Sequence, residues 1–538
     1  MQYFIPAWYR QEDWNENEQP WYRSRTVTEF DDTVKQVQLF FRRHVAPFEV
    51  VLLSYAPNFR HFLHRQGVYH APWWSCFDAM QGVRSRSMRP FSFHDLAWPE
   101  GVEFVYSPFV VVAMLAGEKF AQVEFSEDGN MYLVDLYRDG VLSARNLYDD
   151  RGFVSCQVDY EQGVPVRRRL FDEGGTWKLA EFADGHVVVN PRSAWFLHGR
   201  GEDATQVPYR HERYDGVEDV IAEVLEDFLA DTGPDDAFTV AMHPRHSGVL
   251  ARALEGRSTV LSFFGRRMPE GELTEAGRSL LSACSCVVAD KESTARAVRA
   301  QAPGLLAPVR VITPYETRVE VGVSQRLHVQ NVLVAVDALD DALFDEVMVS
   351  LAGYVSEKNR LARVCLFTRS SRYDATASLL SRVEAALERA GLDPRMAEPD
   401  QGRSENELAD DEAPRGVFSV RQCVDELHVS RTMREQRVVA DLSPQPDQFL
   451  QISAMSMGVP QLTTHGTEYV VDGRNGRVLH GARELPDALD FYLGSVENYN
   501  EAQIASYDIG SRFSAQELVR AWKEVIGIGQ HTGAPARG

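Results

Sequence analysis

"FAQVEFSEDGNMYLVDLYRDGVLSARNLYDDRGFVSCQVDYEQGVPVRRRLFDEGGTWKLAEFADGHVVVN", residues 120–190, alternates apolar and polar residues and breaks at Gly129, Gly140, Gly152, Gly163, Gly174 and Gly185. The breaks fall 11, 12, 11, 11 and 11 residues apart. That period, with Asp-Gly, Gln-Gly and Arg-Gly turns, predicts an antiparallel meander of about seven strands joined by tight hairpins. Glycine at this frequency would interrupt a helix every third turn.

Outward from the meander the texture changes. On its N-terminal side "YFIPAWY" (3–9) and "FEVVLLSY" (48–55) read as buried strands. Between them Phe30, Val34, Val37 and Phe41 recur at helical spacing. Beyond Asp215 helical and strand patterns alternate through "VEDVIAEVLEDFLA", "AFTVAM", "STVLSFF", "SCVVAD" and "VRVITP". A second alternating run starts at "NVLVAVDAL" (331–339) and continues through "ARVCLFTR" and "RVVADLSP". This is α/β: two Rossmann-like domains, with the antiparallel sheet inserted in the first, and ligands expected at the carboxyl ends of the parallel strands. The expected boundaries are 1–100 and 206–318 for the first domain, 101–205 for the inserted sheet and 319–538 for the second domain. "TPYETRVEVGVSQRLHVQ" (313–330) reads as a linker and Asp393–Gly416 as a solvated acidic loop. In "SAQELVRAWKEVIG" (514–527), Leu518, Trp522, Val525 and Ile526 share one face of a terminal docking helix.

Composition narrows the function. A formal net charge of −22 over 538 residues argues against a nucleic-acid binder, which needs a Lys/Arg surplus. Six cysteines in this length are too sparse for a disulfide scaffold. The opening residues lack the basic and apolar regions of a signal peptide, and the apolar run Phe109–Ala116 is far short of the roughly 20 residues of a membrane span. A cytoplasmic protein is expected.

Three places invite a functional reading. "DLSPQPDQFLQISAMSMGVPQ" (441–461) has the outline of a ligand-binding strand-to-helix junction, yet carries no charge after Asp447. "MHPRHSG" (242–248) puts His243, Arg245 and His246 at the carboxyl edge of the first sheet, facing a cleft or serving as a structural loop. Six of the nine tryptophans precede Glu100: Trp8, Trp14, Trp21, Trp73, Trp74 and Trp98. With Tyr9 they could stack on sugar rings or fill the core. His61, His64 and His70 lack companion ligands, Cys284 and Cys286 suit a buried face, and no G-x-S-x-G elbow occurs. No metal or cofactor is expected.

The order of these parts resembles the two-domain (GT-B) retaining glycosyltransferases, especially those that add N-acetylglucosamine to serine-rich repeat adhesins. "YFIPAWY", "PWYRS", "EFDDTVKQVQLF" and "DLSPQPDQFLQISAMSMGVPQ" more closely resemble the accessory secretory protein one family of the accessory Sec export system. "DGRNG" (472–476) is shared with many glycosyltransferases. The resemblance implies a GT-B-like fold and a cytoplasmic complex with accessory secretory proteins two and three. It also implies work with the accessory SecA-type ATPase, a glycosylated serine-rich repeat adhesin as cargo, and membrane contact only through the translocase.

Active relatives hold the donor diphosphate with an Arg and a Lys after the first strand of the second half. Here "VAVDALDDALFDE" (334–346) puts Asp337, Asp340 and Asp341 in that stretch. Those relatives also carry two carboxylates eight residues apart before Gly-x-Pro; counting back from Gly458 places Gln445 and Ser453 there. The resemblance therefore implies a degenerate donor site and a non-catalytic protein. Weak N-acetylglucosamine binding is expected, with Trp8, Tyr9, His243, Arg245, His246, His465, Gly466 and Thr467 as candidate contacts. The alternative is an active retaining N-acetylglucosaminyltransferase with rearranged donor residues; a third reading is a scaffold without glycan affinity.

Overall fold

The computed structural model describes residues 1–9, 14, 15, 30–126, 129–267, 273–320, 322–398 and 416–532. Trp21 and "PWYRS", and most of the acidic tract before Gly416, lie outside the described residues. The chain divides into two compact units, Met1–Ile312 with Trp522–Gly538, and Thr313–Ala521.

The first unit begins with β1 (Gln2–Ile5), α1 (Asp32–Arg43), β2 (Phe48–Leu52), α2 (Phe59–Arg65), β3 (Trp73–Ser75) and α3 (Cys76–Gln81). Helix α1 starts where the Asp31 carboxylate accepts the Thr33 N–H at 3.0 Å, and it ends at His44 in the left-handed region. Val34, Val37 and Phe40 fill its buried face, whereas Phe41, expected there, is half-buried.

The chain then leaves the parallel sheet for the meander: β4 (Val102–Tyr106), β5 (Val110–Leu115), β6 (Glu118–Phe125), β7 (Met131–Arg138), β8 (Val141–Asp149), β9 (Phe153–Glu161), β10 (Val164–Phe171), β11 (Trp177–Phe182) and β12 (Val187–Val189). Each is antiparallel to the next. A short hairpin, β13 (Trp195–His198) with β14 (Thr205–Pro208), follows, and β15 (Arg213–Tyr214) returns to pair with β12. The sheet thus has ten strands, not about seven, because β4, β5 and β15 lie outside the glycine-periodic stretch. Five of the six expected turn glycines have positive φ; in the remaining turn Gly175 takes that role instead of Gly174. Its cause is local: the Asp172 carboxylate accepts the N–H of Gly174 (3.0 Å) and of Thr176 (2.8 Å), which moves the left-handed position one residue on.

The parallel sheet resumes with α4 (Val217–Ala230), β16 (Ala237–Ala241), α5 (Pro244–Ala253), β17 (Ser258–Phe263), α6 (Glu275–Ala283), β18 (Cys286–Ala289), α7 (Glu292–Gln301) and β19 (Val309–Val311). Its order, β19-β18-β17-β16-β1-β2-β3, sets β16 beside β1, with Gln2 opposite Ala237. The meander is therefore an insertion between two halves of one sheet. A buried ionic cluster joins the insertion to the first of those halves. Arg60 of α2 binds Asp149 at the end of β8 and Asp150 in the turn after it, and Arg151 binds Asp149 and Asp78 of α3.

The second unit contains β20 (Gln330–Ala335), α8 (Asp341–Glu357), β21 (Ala362–Thr368), α9 (Ala375–Arg389), β22 (Phe418–Gln422), α10 (Glu426–Met433), β23 (Gln436–Asp441), α11 (Gln448–Met457), β24 (Gln461–Thr463) and β25 (Gly476–Val478). Helices α12 (Leu485–Leu493) and α13 (Val496–Gly510) follow, and α14 (Ala515–Thr532) begins in this unit and belongs to the first from Trp522 on. Its parallel sheet runs β22-β21-β20-β23-β24-β25. Residues 313–330, read as a linker, are instead bonded to this unit: Thr317 Oγ1 donates to Gly510 O (2.6 Å), Glu320 N to Ser456 O (2.9 Å) and Val323 N to Arg434 O (2.8 Å). In α14 Leu518, Trp522 and Val525 are buried, and Trp522 joins the first unit's core beside Phe4 and Phe40. Among the described residues no helix is long and apolar enough to cross a membrane.

Candidate functional site

The carboxyl ends of β20, β21, β23 and β24 form one edge of the second sheet, where an open α/β sheet places its ligands. β20 runs out towards Asp337. Its Oδ1 accepts the Thr368 hydroxyl at 2.5 Å and its Oδ2 accepts Arg369 N–H at 2.7 Å, so the carboxylate fastens this loop to the one after β21. Asp340 caps α8, accepting the Leu343 N–H at 2.8 Å. Both acids are thus used to hold the chain.

A cation does reach this edge. Arg369 donates through Nε (2.7 Å) and Nη2 (3.0 Å) to the two oxygens of Asp447, and the pair is nearly buried, with side chains 9% and 14% exposed. Asp447 is also the N-cap of α11, accepting Leu450 N–H at 2.9 Å. A helix N-terminus with an adjacent arginine is the arrangement that holds a phosphate. Here the chain's own Asp447 bonds both the arginine and the helix N-terminus.

Behind the pair, Asp441 accepts Ser443 Oγ–H (2.6 Å) and Asp447 N–H (2.7 Å). Burial pushes its carboxyl up to about 6. The raised value means that the folded state holds this proton more tightly than the unfolded chain. The associated stabilisation is therefore full below the unfolded value of about 4 and is lost as pH rises through about 6. Relative to Asp441→Asn, the wild-type unit should lose on the order of 3 kcal/mol between pH 4 and pH 6.5, measured by urea unfolding. Parallel pH profiles would contradict this.

Gln445 is exposed in the turn between Pro444 and Pro446. Ser453 sits half-buried on α11, its hydroxyl donating to Phe449 O at 2.7 Å, one turn back. The strand-turn-helix frame is present, with Gly458 closing α11 at φ 67°. At that glycine a Cβ would stand 2.5 Å from the Gln503 side chain. In the loop after β24, His465 and Gly466 are exposed, and Thr464 Oγ1 donates to Leu442 O (3.0 Å), joining this loop to the end of β23. Thr467 donates to Gln451 Oε1 at 3.1 Å and accepts the N–H groups of Tyr469 and Val470, a turn-building role. Arg369 went unremarked in the sequence; its position directly after β21 was the available signal.

The first unit distributes its candidates differently. His243 caps α5, its Nδ1 accepting Arg245 N–H at 3.1 Å, and burial pushes its imidazole down to about 4. Arg245 pairs with Glu218 at 3.3 Å and lies over the Trp14 ring. His246 is fully buried, with Nδ1 accepting the Tyr9 hydroxyl (3.0 Å) and Nε2–H donating to Ala241 O (2.8 Å). Trp8 is buried against Phe62 and donates to Asp31 at 3.1 Å. Stacking on a sugar needs an exposed ring face, and Trp8, Tyr9 and His246 are packed inside because the "AWY" segment continues β1 into the core. Trp14, Trp73 and Trp74 are buried too.

Two parallel-sheet units, the first interrupted by a meander, define a GT-B-like protein. The pneumococcal O-GlcNAc transferase GtfA, solved in complex with UDP and GlcNAc, shares this fold at 10% identity and a TM-score of 0.68, over 98% of this chain and 99% of that one. The family profile of accessory Sec system protein one matches residues 1–527, and the chain belongs to that family. It is 29% identical to the accessory Sec system protein one of Streptococcus gordonii over 537 residues, covering 97% of this chain and 98% of the relative. The crystal structure of accessory secretory protein 1, 2 and 3 in Streptococcus pneumoniae matches with a TM-score of 0.79 at 25% identity, over 99% of this chain and all of that one.

Proposed function

We propose that this chain is a non-catalytic, glycosyltransferase-like component of the accessory Sec export machinery, needed for translocation of glycosylated serine-rich repeat adhesins. The observation that carries the non-catalytic part is the Arg369–Asp447 pair at the N-terminus of α11. A nucleotide diphosphate would have to displace a buried bidentate ion pair and then meet Asp337 nearby, which opposes binding electrostatically. Gln445 and Ser453, at the positions the resemblance assigns to donor carboxylates, offer no negative charge.

The pneumococcal relative crystallised with accessory secretory proteins 2 and 3, which supports those two proteins as partners of this chain. Within the same reading the chain works in the cytoplasm beside the accessory SecA-type ATPase and meets the membrane only through the translocase. Glycan binding is weak, because polar groups at the second sheet's edge, among them Asp337, His465 and Thr467, are engaged in turn-building contacts. Co-expression with accessory secretory proteins two and three should give one complex on size exclusion. The same complex should bind a peptide carrying Ser/Thr-linked N-acetylglucosamine more tightly than the bare peptide. A chain that elutes alone would overturn the partner assignment, and equal binding of both peptides would overturn the glycan assignment.

A further inference from the structure

Between the meander and the resumed parallel sheet, the β13–β14 hairpin forms a two-stranded sheet that pairs with neither large sheet of the first unit. Such a hairpin is marginal by itself and depends on what it leans against. Phe196 and Leu197 anchor one of its strands in the core. Its tip, residues 199–203, is mostly exposed and is held by side chains. Arg200 grips Glu49 of β2 through Nε at 2.6 Å and through Nη2, and Arg84 donates to Glu202 O (3.0 Å) and Ala204 O. A further tether is His198.

His198 stands against the end of α4, where Asp227 and the C-cap residue Asp231 are one helical turn apart. Its Nδ1 lies 2.8 Å from Asp227 Oδ2 and its Nε2 lies 3.2 Å from Asp231 Oδ2. A carboxylate only accepts, so both contacts are hydrogen bonds only when both ring nitrogens carry hydrogen, which is the imidazolium. A neutral ring would turn a lone pair on one of the two acids. The helix end itself calls for a cation: α4 has no basic residue in its last turn, its two acids repel each other, and the carbonyl end of its dipole adds to the negative potential. Among the described residues neither acid has another ion-pair partner. Two arginines stand nearby. Arg200 is matched by Glu49, and Arg257 donates to Leu229 O (2.9 Å) and Thr232 Oγ1 (2.5 Å) at the end of α4. The Asp227 hydrogen bond, helped by the charges of Asp227 and Asp231, holds the imidazole above its ordinary 6.5 against partial burial and Arg200.

We propose that His198 is a pH-sensitive clamp: the imidazolium ties the β13–β14 hairpin to α4, and loss of one ring proton loosens the hairpin tip. A group with a higher pKa in the folded chain stabilises it fully below the unfolded value, near 6.5, and that contribution is lost as pH rises through the folded value. Arginine does not titrate in this interval, so the Arg200 and Arg84 tethers remain, and Phe196 and Leu197 stay in the core. The change is therefore confined to residues 199–204. The clamp lies wholly in the first unit, and nucleotide binding at α11 would leave it standing.

The test is an NMR pH titration of the full chain carrying carbon-13-labelled histidine, with the His198 signal identified by its absence from His198→Gln. Its midpoint should lie above 6.5 in the wild type and fall in Asp227→Asn and in Asp231→Asn, each of which removes one carboxylate. Amide hydrogen exchange of residues 199–204, corrected for the intrinsic rise with pH, should quicken about fivefold between about pH 6 and about pH 8.5 in the wild type and stay level in His198→Gln. If His198→Gln unfolds, Asp231→Asn, on a side chain 51% exposed, both identifies the signal and decides the matter through its midpoint. A wild-type midpoint at or below 6.5, a midpoint that neither aspartate variant moves, or wild-type exchange that ignores pH would overturn the proposal.

Discussion

Arg60→Ala is expected to destabilise the first unit by about 3–5 kcal/mol, seen as a lower midpoint in urea unfolding. The Arg60 side chain is 2% exposed and donates to Asp150, to Asp149 Oδ1 (3.2 Å) and to Pro57 O (2.8 Å). Removing it strands Asp150, whose carboxylate would keep only the N–H groups of Arg60 (3.1 Å) and His61 (3.2 Å) at the start of α2. Asp149 would still have Arg151, so the loss concentrates on one buried charge. Burial already holds the Asp150 carboxyl up to about 6 with the arginine present. Without Arg60 the group would need to take up a proton or stay charged in the interior. Arg60→Met/Asp150→Leu should therefore lose less than Arg60→Ala alone, since no charge is left unmatched. A loss under about 1 kcal/mol for Arg60→Ala would show that the cluster does not hold the insertion to its sheet.

Trp522→Ala should cost a similar amount, about 3–5 kcal/mol, by opening a cavity in the first unit's core. The indole is 3% exposed and meets Phe4 of β1 edge-on at 6.3 Å and Phe40 of α1 at 5.6 Å. These are the first strand and first helix of the fold, so a residue near the carboxyl terminus completes packing begun at the amino terminus. Trp522→Phe should retain most of the contact and lose about 1–2 kcal/mol. Equal midpoints for wild type and Trp522→Ala would mean that α14 does not contribute to that core.

What the sequence disclosed follows from the range of each interaction. Hairpins are local, so Gly140, Gly152 and Gly163 announce the meander through their spacing, and the βα alternation announces the parallel sheets. The strands β4 and β5 escaped because the turn between them, 107–109, contains no glycine; "VVVAML" reads equally as an apolar run. At the candidate site the acids Asp337, Asp340 and Asp447 were legible, but their partners were not. Asp337 meets Thr368 across 31 positions and Arg369 meets Asp447 across 78, and no local pattern encodes such pairs. Tyr9 and His246 illustrate the same limit. Residue type allowed either a sugar platform or a core, and a hydrogen bond across 237 positions, inside the first unit, places them in the core.

With Asp447 bound to the Arg369 guanidinium and to the α11 N-terminus, the function proposed above requires that the GT-B-like frame take no nucleotide sugar. Isothermal titration of UDP and UDP-N-acetylglucosamine into the full chain tests it most directly. No binding heat is expected up to about 1 mM ligand, which corresponds to a binding free energy weaker than about −4 kcal/mol. Saturable binding at micromolar ligand, followed by release of UDP from the sugar nucleotide, would contradict it.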